Sequence, residues 1–341
     1  MLLGIVMLAG AEIASVFLFI CDYFRVSNMY KGRGLEMLEG QASITAKICA
    51  FARAHHGKYM DNPIYEDEFA MELLGQKDYE DIKDHVIRIL SNRCWSIPTR
   101  DTWDHFINEL VTPIVVPRIK YTEEKLDEFY EEDKELIQYV ICGAGLDSFM
   151  FKHKSRMANI EVFELDHKDT QAYKLSRIHE IGWELPVNAH LVSIDFEKDS
   201  IKEVLLNAGF DPKKKAFFVI LGVTYYLSLE TFTETLKAIS DLAEGECQIV
   251  FDYPDKEIVK GGNMYQRMAT LVDITEALGE KMMGGMSFKE LARVFDGVGF
   301  HIAEHVTPQI IHENYFEHRK DDLKAFENVS FILAKKNRFN F

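Results

Sequence analysis

The chain has little positive charge for its size: 39 Lys and Arg stand against 55 Asp and Glu, a formal charge of -16 over 341 residues. A nucleic-acid groove needs clustered Lys and Arg to neutralise phosphates, and there is no basic stripe. Cysteine is also scarce. Cys21, Cys49, Cys94, Cys142 and Cys247 are odd in number, scattered, and without a Cys-x-x-Cys pair. That argues against a disulfide framework or zinc site and fits free thiols in a reducing cytoplasm. No Gly-x-Ser-x-Gly occurs, so the nucleophile elbow of acyl hydrolases is missing. No Gly-Lys-Ser or Gly-Lys-Thr occurs, which excludes a P-loop. Of twelve histidines, neither His55-His56 nor His312 with His318 has the i, i+4 spacing beside a Glu that zinc hydrolases use. No metal is expected. Internal repeats and low-complexity tracts are absent.

Long uncharged apolar runs are nearly absent too. Met1 to Ile20 comes nearest, interrupted by Glu12. It has no basic n-region, and a carboxylate near its middle makes it marginal as a span. A docked helix, a weak membrane anchor and a stretch foreign to the native protein all fit. The third is favoured, because Lys31-Gly32-Arg33-Gly34 is encodable by a purine-rich, ribosome-binding-like sequence just before Met37. A membrane role is therefore not expected.

The organised pattern begins after Met37. Ile44, Ile48, Phe51 and Ala52 recur at helical spacing, Asn62-Pro63 punctuates, and Asp67 to Leu74 is closed by Gly75. Tyr79–Leu90 and Trp103–Val111 continue the pattern, with Pro98, Pro113 and Pro117 expected to break it. This reads as a helical cap, residues 37–135, behind an apolar extension, 1–36. From Gln138 strand and helix alternate. Strands are expected at Tyr139–Cys142, Glu161–Leu165, Leu191–Ile194, Phe217–Leu221, Gln248–Phe251, Phe300–Val306 and Val329–Ala334. Helices are expected at Thr170–Ile181, Ile201–Asn207 and Glu230–Leu242. The fold class is α/β, a mostly parallel Rossmann-like sheet over 136–341 with its last strand antiparallel. Residues 255–286 are rich in Met and Gly and suit a substrate-gating insertion; an ordinary helix between loops fits them equally.

The chemistry concentrates at strand ends. Tyr139 to Cys142 runs into Gly143-Ala144-Gly145, a turn where glycine lets backbone approach a ligand. The second strand ends in Glu164-Leu165-Asp166, about 20 residues on, the offset at which a carboxylate reaches ribose hydroxyls. The third glycine of a dinucleotide fingerprint is replaced by Ser148, which weakens the case for NAD or FAD. A diphosphate-free adenosine ligand such as S-adenosylmethionine remains. Asp195-Phe196, after the third strand, could address an adenine ring or simply cap the next helix. Gly222-Val223-Thr224-Tyr225-Tyr226-Leu227, after the fourth, could line the opening where cofactor and substrate meet, or belong to the core.

Val140-Ile141-Cys142-Gly143-Ala144-Gly145-Leu146-Asp147 resembles the signature of the leucine carboxyl methyltransferase-like family, which includes bacterial S-adenosylmethionine-dependent O-methyltransferases of polyketide pathways. Four further pieces agree: Ser43-Ile44-Thr45-Ala46 with Arg53-Ala54-His55; Pro63-Ile64-Tyr65 to Ala70; Phe163-Glu164-Leu165-Asp166-His167; and Gly222 to Leu227. The likeness is good from Met37 to Pro254 and looser beyond. It implies Gly143, Ala144 and Gly145 beneath the methionine part of S-adenosylmethionine, Asp166 with Glu164 at the ribose, and Asp195 and Phe196 at adenine. It also implies Arg118 on the cofactor carboxylate, a bidentate task that suits a guanidinium. Leu221, beside Gly222, replaces the family's usual Glu near the cofactor amino group, so another acceptor serves that group or affinity is reduced. Tyr225 and Arg53 are expected to face the acceptor.

Methyl transfer to a carboxylate needs alignment and exclusion of water. A phenol or alcohol acceptor would need a base, for which Tyr226, His305 and His312 are candidates. The implied partner is a small-molecule methyl acceptor, and the implied protein a cytoplasmic monomer or homodimer. The rivals are an NAD-dependent oxidoreductase on the same fold and a non-catalytic cofactor-binding protein, the latter hinted at by Leu221.

Overall fold

The computed structural model describes residues 42–92, 103, 106–132, 135–155, 157–254, 266–278, 280–282, 285–321 and 323–337. The apolar extension 1–36 and the glycine-bearing start of the insertion lie outside them.

Three helices come first. Ser43 caps α1 (Ile44–Tyr59) by accepting the Ala46 N–H at 3.2 Å, and the helix buries Ile48, Phe51 and Ala52. Asp67 caps α2 (Glu68–Leu74) through the Ala70 N–H at 3.1 Å, and Gly75, at φ 80°, ends it. Then α3 runs over Gln76–Asn92. Beyond a π-helical turn at Ile107–Val111 comes α4 (Thr112–Glu131), and here the prolines do not break the chain as expected. Pro113 occupies the first turn, where its N–H would have no helical partner, and Pro117 forfeits a single backbone bond. The uninterrupted helix carries Arg118 into the interior.

The remaining elements are β1 (Ile137–Cys142), α5 (Phe149–Lys152), β2 (Ile160–Asp166), α6 (Lys168–Glu180), β3 (Ala189–Ser193), α7 (Ile201–Asn207), β4 (Lys215–Ile220), α8 (Leu229–Leu242), β5 (Cys247–Pro254), α9 (Gln266–Ala277), α10 (Phe288–Phe295), β6 (Phe300–Val306), α11 (Pro308–Tyr315) and β7 (Val329–Lys336). The sheet order is β3-β2-β1-β4-β5-β7-β6. Strands β1 to β5 are parallel, and β7 runs against both β5 and β6. Every residue of β1 and β4 is buried, as strands covered on both faces require. Tyr139, Ile141 and Phe217 face one core with the N-terminal helices; Val140, Cys142 and Phe218 face the other.

Register aligns the strand ends. Cys142 pairs with Leu165 and Ile220, and Ile220 with Phe251. Gly143, Asp166, Leu221 and Asp252 therefore emerge along one sheet edge, and the strand order reverses between β1 and β4 at that edge. In open α/β sheets this is where ligands bind. Among the described residues no helix is long and apolar enough to cross a membrane.

Candidate active site

The glycine turn is pinned from below. Gly143 and Ala144 donate their N–H groups to the Leu165 carbonyl at 2.8 and 3.1 Å, and Gly143 and Gly145 adopt φ 74° and 55°. A Cβ on Gly143 would stand 2.5 Å from Val223 Cγ2, and one on Gly145 3.0 Å from Ala46 Cβ. The turn therefore touches the segment after β4 on one side and the start of α1 on the other.

Asp166 accepts the Gly145 N–H at 2.6 Å and the His167 N–H at 2.7 Å. Burial raises its pKa against the pull of those bonds. Beside it the Ile194 N–H donates to the Asp166 carbonyl at 3.0 Å, bringing the ends of β2 and β3 together. Asp195 accepts from Lys198 Nζ at 2.6 Å and from the Glu197 N–H at 3.1 Å, and the Lys198 bond lowers its pKa. Phe196 is half-buried against the second core.

Glu164 stays deeper. It is fully buried and ion-paired with Lys174 of α6, while its Oε1 has no partner. Burial outweighs the Lys174 attraction and pushes its pKa up to about 7. Arg53 is also buried. Its Nε meets Asp67 at 2.8 Å and its Nη2 the Leu146 carbonyl at 2.6 Å. Ser148, in the place of a third glycine, donates to the same Asp67 at 2.7 Å. Arg53 and Ser148 thus brace the chain behind the glycine turn.

Across the turn lies a second constellation. Arg118 Nη1 donates to Asp252 Oδ2 at 2.9 Å, and its Nη2 contacts Cys49 Sγ at 3.6 Å. Burial disfavours its charge, but Asp252 and further neighbours outweigh that and raise its pKa. The Arg118 Nε is buried without a partner. Gly222, at φ 72°, leaves room for this guanidinium, whose Nη2 would stand 2.8 Å from any Cβ there. Asp252, wholly buried in β5, also accepts the Gly222 N–H at 2.7 Å and the Tyr225 hydroxyl at 3.0 Å; its carbonyl accepts the Thr224 hydroxyl at 2.6 Å. One carboxylate thus holds the Gly222–Tyr225 turn against Arg118. Leu221 is half-buried against the first core. Tyr226 follows, half-buried against the first core, and burial raises its pKa.

His305 is not brought to this place. It lies in β6, four strands from β1, or roughly 19 Å at the usual strand spacing. There its Nε2 meets the Tyr253 hydroxyl at 2.9 Å and its ring stacks on Phe288. Sequence reasoning overlooked Asp252, Lys174 and Glu280. Asp252 had a signal, a lone carboxylate inside the apolar run Ile249–Tyr253, which has to find partners when buried. Lys174 and Glu280 had none, being ordinary charges of amphipathic segments.

A glycine cradle at the switch point, an acid at the end of β2 and a buried arginine with a free Nε together suit an adenosine ligand carrying a carboxylate. The profile of the family described as Leucine carboxyl methyltransferase matches residues 46–240. This chain belongs to that family. Bacillus subtilis YktD, named for S-adenosyl-L-methionine-dependent methyl transfer, is 33% identical over 312 residues, covering 88% of this chain and 100% of YktD. A Mycobacterium bovis protein of similar name is 25% identical over 58% of this chain and 66% of its own length. Among solved structures, a Thermobifida fusca YX protein described as a methyltransferase has a TM-score of 0.55 at 14% identity, over 88% of this chain and 97% of that one. The fold is that of the class I methyltransferases, and S-adenosylmethionine is the cofactor. In this leucine carboxyl methyltransferase family member the fit rests on the turn at Gly143–Gly145, which side chains would fill, and on the unpaired Arg118 Nε.

Proposed function

We propose that this methyltransferase esterifies the carboxylate of a small molecule. When bound, S-adenosylmethionine supplies an electrophilic methyl on a sulfonium. In this reading Arg118 binds its carboxylate, Asp166 its ribose hydroxyls, and Asp195 with Phe196 its adenine. Gly143, Ala144 and Gly145 admit it to the sheet edge beside Leu221 and Gly222.

The observation carrying the choice of acceptor is the state of the side chains around Tyr226. Burial pushes its phenol pKa further up, away from the range of a base working at neutral pH. Asp252 is taken by three donors and Glu280 by the start of α1. A hydroxyl acceptor needs a base to remove its proton, whereas a carboxylate arrives ionised and needs only alignment and exclusion of water. Tyr226 then acts as a wall and dipole at the junction, with Tyr225 behind it fixing the turn.

The test is methyl transfer from labelled S-adenosylmethionine to a panel of carboxylic acids, phenols and alcohols. The expected product is a base-labile ester, formed at a rate that stays flat above the acceptor's own pKa. A base-stable ether, formed faster as pH rises through a phenol's pKa, would overturn the assignment.

A further inference from the structure

Of the three described cysteines, Cys142 and Cys247 are buried and Cys49 of α1 is half-buried. Burial raises the thiol pKa of the first two, that of Cys142 to about 12, which leaves both inert at neutral pH. Cys49 is reachable from solvent and has a cation beside it. Its Sγ lies 3.6 Å from Nη2 of Arg118.

A guanidinium is planar and presents its donors as a rigid fork. Nη1 of Arg118 is turned to Asp252, at 2.9 Å. Nη2 and Nε share another edge, one that can grip an oxyanion through two parallel bonds. On that edge Nη2 meets a sulfur, which is a weak acceptor, and Nε is buried with no partner. Arg118 is only 7% exposed, so bulk water does little for the edge. It is matched to a pair of oxygens, and Cys49 stands at one of its prongs.

We propose that Cys49 is an oxidation site: peroxide converts its thiol to a sulfinate, whose oxygens take the Nε–Nη2 edge of Arg118 and shut out the cofactor carboxylate. The inference rests on the reading in which Arg118 binds that carboxylate. Two molecules of hydrogen peroxide are consumed in turn. Each time the O–O bond breaks, one oxygen joins the sulfur, the other leaves as water, and the sulfur loses two electrons. The thiol becomes a sulfenic acid, and the sulfenic acid becomes a sulfinate and a proton. Being tethered, the sulfinate meets Arg118 at a higher effective concentration than free cofactor does.

Calorimetric titration of the full chain with S-adenosylhomocysteine reads this without a methyl acceptor, before and after hydrogen peroxide, with added oxygens located by peptide mass mapping. Cys49 is expected to gain two oxygens and Cys142 and Cys247 none. Affinity should fall at least about tenfold, the scale of a lost hydrogen bond to a charged group. Bound S-adenosylhomocysteine should slow the gain. Cys49→Ala, compared with its own untreated sample, should lose nothing. Charge is separated from bulk by Cys49→Asp, expected to bind at least about tenfold more weakly than the equally shaped, uncharged Cys49→Asn. No oxygen on Cys49, oxidation without loss of affinity, an equal loss in Cys49→Ala, or equal affinities of the Asp and Asn variants would overturn the inference. Arg118→Lys keeps the charge and removes the fork, and is expected to weaken S-adenosylhomocysteine binding at least about tenfold. If it binds as the wild type does, the reading of Arg118 falls and this inference with it. Weak binding by Arg118→Lys with normal binding by the oxidised wild type would overturn this inference alone.

Discussion

Asp252 carries more of the site than any other single residue. It is wholly buried, and so, nearly, is Arg118, so neither charge has water to fall back on. Asp252→Ala strands the guanidinium and frees the Gly222 N–H and the Tyr225 hydroxyl at once. The expected cost is about 3–5 kcal/mol in urea unfolding, the range for breaking a buried pair from one side. Asn keeps an acceptor for Gly222 and is expected to lose less. Gly143→Ala tests the turn itself. At φ 74° an L-residue costs about 1–2 kcal/mol, and the new methyl would also strike Val223. Pairing it with Val223→Ala should recover the steric part and leave the conformational part, which denaturant midpoints of the single and double variants would separate. Of these residues, the glycines were legible in the sequence because their demand is local, an abrupt turn after an apolar run. Arg53 was legible as a residue of interest but not in its task. Its partners Asp67 and Leu146 come from different elements, and only their meeting shows that the arginine braces the turn instead of facing an acceptor.

At the scale of elements, strands were readable where burial on both faces made continuous apolar runs. There β1, β2, β4 and β5 differ from expectation by a few terminal residues; β6, an edge strand buried only at its ends, nevertheless coincides with its expected range. Leu221 was expected to end β4, which stops at Ile220, because the chain there bends toward Gly222 and Asp252. The prolines of α4 were misread because a proline marks a boundary only when its neighbours lack other support; here Ile114, Val115 and Val116 are all buried. The insertion shows an ordinary helix, α9. Arg267 anchors it through the Glu109 carbonyl at 2.8 and 2.6 Å, the Ala325 carbonyl at 3.1 Å and Glu327 at 3.1 Å. Arg267→Ala is expected to speed hydrogen exchange across Met268–Ala277 at least about tenfold while β1 and β4 keep their protection. Equal acceleration in both would mean that α9 opens only with the whole molecule.

For the whole molecule, the clearest dependence on pH comes from His56. It is fully buried, and its Nε2 accepts the Ile64 N–H at 2.8 Å, which only a neutral ring can do. Burial, together with Arg319, lowers its pKa to about 4. Between the unfolded value near 6.5 and about 4, the unfolded chain binds the extra proton and the folded one refuses it. Stability from this group is therefore present above pH 6.5 and lost as pH falls toward 4, by a few kcal/mol at most. Glu164, pushed up to about 7, runs the other way: its contribution falls as pH rises from its ordinary value toward 7. The two windows overlap, so His56 is read from the difference between the wild type and His56→Gln, whose amide oxygen can still accept from Ile64. That difference in unfolding free energy should shrink as pH drops from 6.5 to 4.

The sequence by itself determined the alternation of strands and helices, the turn at Gly143–Gly145 and the acid of Asp166, while the likeness of its motifs to a known family pointed to the family and its cofactor. Each is a demand that a few consecutive residues make: periodic burial, a positive φ, a carboxylate at a set offset from a turn. The tertiary structure alone decided which charges meet. Arg118 and Asp252 lie 134 positions apart, and Thr45 and Glu280 lie 235 apart. His305 lies along the same sheet edge but is set apart from the glycine turn, because β7 enters the sheet between β5 and β6. Burying a charge is costly wherever it occurs, but the strand order and helix packing of the finished fold choose the partner that compensates it.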